Sequence, residues 1–373
     1  MRTLVLQGYG ISIKVENGKL VITQGKNRVT GEQEVIQITD NPNFDKIIIE
    51  GNNGWISFRA LDWLSYLGIN VVMVDRKGRL YATFNQIKGD TEPTIRQQQY
   101  DCFRNEKHLE YLRKWIVTER VNSQIQLLRE RAMYGKLSPQ TKEAIEDTIA
   151  VMENNLQSLQ TTSLGKTRSI EAYIAMRYYS IFPKLFNQGL GFEGRRNRKT
   201  AMHKDASDVI NVLLNYGFSI LQAEVAKQLN AIGLDCYVGF YHKNHATTVP
   251  LVYDMMEPSR FLVERAVLEI ADTIDKEKDY RYHYFDSSYP NSSKGVDVPP
   301  ITYLRVSHDL KKRFVYQLTT VFNRKRYYKT PDNTRTGIVP EHGYQKLEEL
   351  TIMKMKCIEL RNYIMGKKEI RVA

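Results

Sequence analysis

Cysteine is scarce: Cys102, Cys236 and Cys357 are the only three in 373 residues, and they lie far apart. They have neither the spacing of a zinc-thiolate site nor the even count of a disulfide framework, so they are expected as reduced core residues. Any metal must then be held by oxygen and nitrogen. A long apolar run is also missing. The start, "MRTLVLQGYGISIKVENGKL", has no signal-peptide core, and no later window is read as approaching the ~20 apolar residues of a membrane span. A soluble, cytoplasmic protein is expected. No internal repeat is visible, and a composition of 42% hydrophobic and 26% charged residues excludes disorder and allows two domains, each with its own core.

Positive charge is abundant, and its placement says more than the total of +12. Residues 301–373 hold 16 basic residues against 7 acidic ones, while residues 1–300 come close to balance. Within that balanced part, 161–204 carries nine basic residues against only Glu171 and Glu193, and includes "GRRNRK" at 194–199. Such patches are footprints of a polyanion. "KKRF" and "FNRKRYYK" interleave cations with aromatics, which suits phosphate contact with base stacking. Nucleic acid is the leading partner class. The residues expected to hold DNA are Arg195, Arg196, Arg198, Lys199, Lys311, Lys312, Arg313, Arg324, Lys325 and Arg326.

The hydrophobic period changes once along the chain. "ISIKVENGKLVIT" alternates across Asn17-Gly18 in the manner of a type I′ hairpin. Short strands follow around one helix over 58–67, capped by Ser57 and stopped by Gly68, and strand signals end near Phe84. From Arg96 the spacing becomes helical, with Leu109, Leu112, Ile116, Val121, Ile125 and Leu128 in one stripe. The fold class expected is α+β: a β-rich domain over 1–86, a linker over 87–94, and a larger all-α catalytic domain over 95–373. Residues 276–300, rich in Ser, Tyr and Pro, read as a long loop.

The helical half carries the acids. Glu171 lies in "SIEAYIAMRYYSIF" beside Ile174, Tyr178 and Phe182; read as structure, it would pair with Arg168 or Arg177. "YHKNHATTVPLVYDMMEPSR" adds His242, Asp254 and Glu257 in apolar surroundings. Asp254 and Glu257 share a helix face at three-residue spacing, and also resemble a capping box with Asp254 as N-cap. Taken together, carboxylates and one imidazole without thiolates form a ligand set for Mg²⁺ or Mn²⁺.

The order of "IEAYIAMRYYSIF", "GRRNRK", "DVINVLLNYGFSILQAEVAKQLNAIGLDCYVGFYH" and "VPLVYDMMEPSRFLVERAVLEIA" resembles the universal CRISPR-associated integrase family (Cas one), the endonuclease of spacer acquisition. The resemblance spans nearly the whole chain. It implies metal ligation and catalysis by Glu171, His242 and Glu257, with Asp254 as a nearby supporting acid. It further implies insertion of short DNA fragments into a CRISPR array by transesterification, a homodimer formed through the β-domain, and a small ferredoxin-like CRISPR-associated partner protein. Two other readings stay open: a transposon-borne (casposon-type) or stand-alone relative integrating other DNA ends, and a non-catalytic DNA-binding protein whose acid and histidine set is structural.

Overall fold

In this computed structural model the described residues are 3–26, 33–38, 42–51, 53–75, 78–84, 93–161, 166–186, 188–195, 206, 208–243, 248–285, 301–329 and 344–366. The chain opens with β1 (Thr3–Gln7), then β2 (Ile11–Glu16) and β3 (Lys19–Thr23), paired antiparallel with Glu16 opposite Lys19. Asn17 and Gly18 carry the connection at φ 50° and 69°, the left-handed pair that a type I′ turn requires. Next come β4 (Val35–Ile38), β5 (Lys46–Glu50) and β6 (Gly54–Ile56). Helix α1 (Phe58–Tyr66) starts where the Ser57 side chain accepts the Ala60 N–H, and it ends before Gly68 at φ 68°. Strands β7 (Asn70–Val74) and β8 (Leu80–Phe84) complete two four-stranded sheets, ordered β4-β3-β2-β6 and β1-β5-β7-β8.

The central strands of the second sheet, β5 and β7, are buried on both faces, and their sequences say why. In "KIIIE" and "NVVMV" apolar residues run on without alternation, as parallel strands covered on both sides do. Leu6, Ile47, Ile49 and Val71 face the first sheet and α1, whereas Val5, Ile48, Val72 and Val74 join the core of the helical half. Polar groups cross the same junction. Lys46 Nζ lies 2.5 Å from Glu224 Oε2, both nearly without exposure, and Lys311 pairs with Glu50.

The helical half runs through α2 (Pro93–Arg104), α3 (Glu106–Tyr134), α4 (Pro139–Thr161), α5 (Thr167–Ile181), α6 (Val209–Ala231), α7 (Pro250–Met256) and α8 (Arg260–Ala271). Asn105 ends α2 and caps α3, accepting the Lys107 N–H at 3.0 Å. The α3 stripe is buried at Leu112, Ile116, Val121, Ile125 and Leu128. Helix α6 is long and apolar enough to cross a membrane, which departs from the sequence reading. It is the core helix of this half, apolar on most sides because α7, α8 and neighbouring helices pack around it, with Glu224 buried in its middle.

Strands return late in the chain. After α8 come β9 (Tyr280–Phe285) and β10 (Ile301–Val306), then α9 (His308–Phe322), β11 (Lys325–Lys329), β12 (Tyr344–Glu348) and α10 (Glu349–Ile364). The two strand pairs are antiparallel ribbons, β9 with β10 and β11 with β12. The helical half is therefore not all helix, and residues 280–285 of the expected loop are a strand. Their "YRYHYF" alternates aromatics that suit a pleated surface, with Tyr280 buried, and this outweighs the polar composition around them. Residues 286–300 of that loop lie outside the described residues. The three cysteines are free and buried, as expected.

Candidate active site

Four segments converge on one cluster. Glu171 sits on α5, and Glu257 opens a short 3-10 turn, Glu257–Ser259, set between α7 and α8 at Pro258. His242 lies in the irregular segment after α6, and Arg120 reaches in from α3. Arg120 Nη1 is 2.5 Å from Glu171 Oε1, and its Nε is 3.2 Å from Glu257 Oε2. Arg260 Nη1 donates to Glu257 Oε1 at 3.1 Å. His242 Nε2 lies 4.0 Å from the same oxygen. Glu171 thus pairs with Arg120 rather than with Arg168 or Arg177.

Asp254 is not a helix cap. It lies inside α7 with no exposure, and its carboxylate accepts the backbone N–H groups of Phe240 (2.5 Å), Tyr241 (3.0 Å) and His242 (2.8 Å). Oδ1 also lies 2.8 Å from His242 Nδ1. Gly239 permits the approach: a Cβ there would meet Pro250 backbone carbon at 2.8 Å and Asp254 Oδ2 at 2.9 Å. With the Asp254 carboxylate accepting from three backbone N–H groups, Nδ1 is the donor of the contact and Nε2 is the ring nitrogen left for a ligand.

Charge is finely opposed here. Burial pushes the His242 imidazole down, but the hydrogen bond and charge of Asp254, with Glu257, outweigh it, and the net shift is upward. Burial raises the Glu257 carboxyl, yet Arg120 and Arg260 with His242 bring it below its ordinary value. Burial opposes the Arg120 charge, and Glu257, Tyr179 and Glu171 more than restore it. Behind the cluster burial raises the carboxyl of Glu264, which accepts the Tyr178 hydroxyl at 2.7 Å.

Among the described residues no three His, Cys, Asp or Glu side chains already stand at ion-holding distance, because Arg120 bridges the two glutamates. The donor set nevertheless fits a hard divalent ion: two carboxylates, the imidazole nitrogen Nε2, and a buried Glu257 Oε2 that accepts no hydrogen bond. Glu171, His242 and Glu257 are the side chains that would hold it.

The expected DNA-binding residues are dispersed. Arg195 is tied to the cluster's edge: it donates to Asn211 and Asn215 Oδ1, and its guanidinium and that of Arg260 both lie over the Phe218 ring, at 5.6 and 4.4 Å. Arg196, Arg198 and Lys199 lie outside the described residues. Lys311 pairs with Glu50, Arg313 with Asp279 and Asp309, Arg324 with Glu269, and Arg326 with Glu349. Lys312 and Lys325 are exposed. Sequence reasoning missed Arg120. Its one signal is a cation in the apolar stripe of α3, one turn after Ile116 and one turn before the buried Gln124.

Comparison with known proteins bears on the fold and the family. "CRISPR-associated endonuclease Cas1 1" of Archaeoglobus fulgidus is 26% identical over 276 residues, covering 72% of this chain and 77% of that one. A solved "Casposase bound to integration product" superposes with a TM-score of 0.77 at 24% identity, covering 99% of this chain and 92% of that one. The "Cas6-RT-Cas1--Cas2 complex" gives 0.68 at 18% identity, covering 98% of this chain and 35% of that one. Residues 4–284 match the family described as "CRISPR associated protein Cas1", and the chain belongs to that family.

Proposed function

We propose that the protein is a divalent-metal-dependent DNA endonuclease and integrase that inserts short DNA fragments into a CRISPR array. The observation carrying this reading is the convergence of Glu171, His242 and Glu257 from three separate segments, with His242 fixed by Asp254. The Archaeoglobus relative is named an endonuclease and the casposase structure an integration complex, which supports the same chemistry.

In strand transfer the 3′-hydroxyl oxygen of the incoming fragment forms a new bond to a target phosphorus, and the bond from that phosphorus to a target oxygen breaks. The displaced strand leaves with the proton count unchanged. One phosphodiester replaces another, so catalysis reduces to positioning and charge stabilisation. Mg²⁺ or Mn²⁺, when bound, supplies a Lewis acid for the phosphoryl oxygen. Glu171 and Glu257 contribute anionic oxygens, His242 a neutral Nε2, and Asp254 holds the tautomer. Arg195 lies at the edge where phosphates would enter.

The partners proposed are DNA, a second copy of the chain, and the small ferredoxin-like protein. Strands β4 and β6 edge the first sheet, and Trp55, Phe58 and Tyr66 are exposed beside it, which suits a dimer through this half. The fold likeness to the casposase over 99% of the chain keeps the transposon-type reading as the alternative.

The test is strand joining of a labelled 3′-hydroxyl oligonucleotide into a repeat-bearing plasmid with Mg²⁺, Mn²⁺ or EDTA. Joining that needs the ion and is lost in Glu171→Ala, His242→Ala and Glu257→Ala is expected. Full activity in EDTA, or in any of these variants, overturns the assignment. Preference for inverted transposon-like ends over a repeat would favour the alternative.

A further inference from the structure

The two glutamates of the site belong to different helical elements, and what holds them together here is a third one. Arg120 is only 11% exposed along its side chain and spans both, Nη1 to Glu171 and Nε to Glu257. Nη1 donates a hydrogen bond to Glu171, and Nε makes an ion contact with Glu257 Oε2 that is not a hydrogen bond, so one planar guanidinium keeps both acids beside it and offsets their charge. Arg260 differs. It touches Glu257 alone, and the Phe218 ring at 4.4 Å gives it a resting place of its own. Arg120 and Arg260 offset the charges of Glu171 and Glu257 before any ion arrives, and Asp254 stands on the far side of His242. A divalent ion placed on the same carboxylates meets a fixed positive charge within a few ångströms, in a site of low effective dielectric where repulsion is strong.

We propose that Arg120 is an internal stand-in for the metal ion: it holds Glu171 and Glu257 in place in the ion-free protein and contends with the ion for the same oxygens. The inference rests on the metal reading of Glu171, His242 and Glu257 and assigns to this chain a residue that sets how tightly the ion is held. Arg120 is a positioning residue that acts through the two acids. Its two effects oppose each other. Removing it frees the oxygens for the ion, and it also leaves two buried carboxylates repelling each other when no ion is present.

That opposition separates the proposal from a purely structural role. Mn²⁺ titration of the full chain, followed by loss of the free-ion paramagnetic resonance signal, is run on the native protein, Arg120→Gln, Arg120→Lys and Glu171→Gln, without DNA. Melting temperature is measured in EDTA and in Mn²⁺. For Arg120→Gln the half-saturating Mn²⁺ concentration is expected to fall about 5-fold or more, the low end of ordinary site couplings. Its melting temperature should drop in EDTA and recover in Mn²⁺ by more than the native protein gains. Arg120→Lys, which keeps the charge and loses the two-pronged reach, should lie between.

Unchanged or weaker Mn²⁺ binding in a folded Arg120→Gln overturns the proposal and leaves the metal site standing. Should Arg120→Gln fail to fold in EDTA, Arg120→Lys decides, and a half-saturation equal to native overturns it. A native titration that superimposes on that of Glu171→Gln means that no ion is bound at these acids, and the metal reading then fails together with the inference.

Discussion

His242 Nδ1 lies 2.8 Å from Oδ1 of Asp254, and the same carboxylate collects three successive backbone N–H groups, those of Phe240, Tyr241 and His242. One buried acid therefore sets both the course of the chain into the site and the orientation of the His242 imidazole. Asp254→Asn keeps the size but puts a donor group among donors. Its metal affinity should fall roughly 10- to 100-fold, as for other carboxylates that orient a ligating histidine, and Mn²⁺ titration reads this. Asp254→Ala strands the three N–H groups, at about 1–3 kcal/mol for each left unsatisfied. It should lower unfolding free energy in urea far more than Asp254→Asn does.

The upward shift of His242 gives two pH effects of opposite sign. In ion-free protein the folded pKa is above the unfolded value of about 6.5, so the stability contributed by the His242–Asp254 contact is fully present below that value and is lost as pH rises through the folded pKa. Metal binding requires the neutral ring and runs the other way, weakening as pH falls through the same folded pKa. The melting-temperature gap between native protein and His242→Gln in EDTA should accordingly widen toward pH 5.5, while Mn²⁺ affinity improves toward pH 8. A gap independent of pH would remove His242 from the titrating role.

Lys46 and Glu224 carry a buried charge pair across the junction of the two halves, at 2% and 4% side-chain exposure. Burial alone would raise the Glu224 carboxyl, but Lys46 and Lys227 hold it down to about 2. Lys46→Met removes the nearest cation and leaves the buried carboxylate with Lys227 at 3.9 Å and the Gln228 amide, which should cost about 3–5 kcal/mol, whereas Lys46→Met/Glu224→Leu should recover most of the loss. Chemical denaturation checks both. The same pair makes deletion of residues 1–86 a poor test of dimerisation, since it bares Glu224 and one face of the helical core. Trp55→Asp/Phe58→Asp charges the exposed aromatics and leaves the junction intact. Loss of a dimer by light scattering is expected from that double variant.

Where chemistry is local, the sequence was sufficient. Asn17-Gly18 announced its hairpin, Ser57 and Gly68 bounded α1, and "DKIIIEG" read as a short strand. Glu171, His242 and Glu257 were legible as residue types, because acids and an imidazole in apolar surroundings need a reason. Their partners were not. Arg120 stands 51 residues before Glu171 and 137 before Glu257, and no periodicity links positions so far apart. Asp254 looked like a cap because D-x-x-E before a helix is what a cap looks like; only the fold shows that α7 began earlier, at Pro250, and that the carboxylate turns back to Phe240. Charge counting likewise found the basic segments without revealing that Lys311, Arg313, Arg324 and Arg326 each face an acid.

Those ion pairs decide how DNA contact should be tested. Arg326 faces Glu349, which is 2% exposed, so replacing it risks stability as well as binding. Lys312 and Lys325 are exposed, and Arg195 leans on Asn211, Asn215 and Phe218 at the edge of the acid cluster. Each true phosphate contact releases condensed counterions and contributes about −0.9 to the slope of log K against log[salt] on duplex DNA. Lys312→Ala, Lys325→Ala and Arg195→Ala should each flatten that slope by about 1 if the residue touches phosphate, with little change in sequence preference. Arg324→Ala is the internal control: its guanidinium already holds Glu269 at 2.7 and 3.0 Å, so the slope should stay as in the native protein. Affinity measured over a salt series on a branched intermediate and on random duplex separates the cases. A slope that falls for Arg324→Ala and not for Arg195→Ala would place the DNA path across α8 and β11, away from the edge where Arg195 lies.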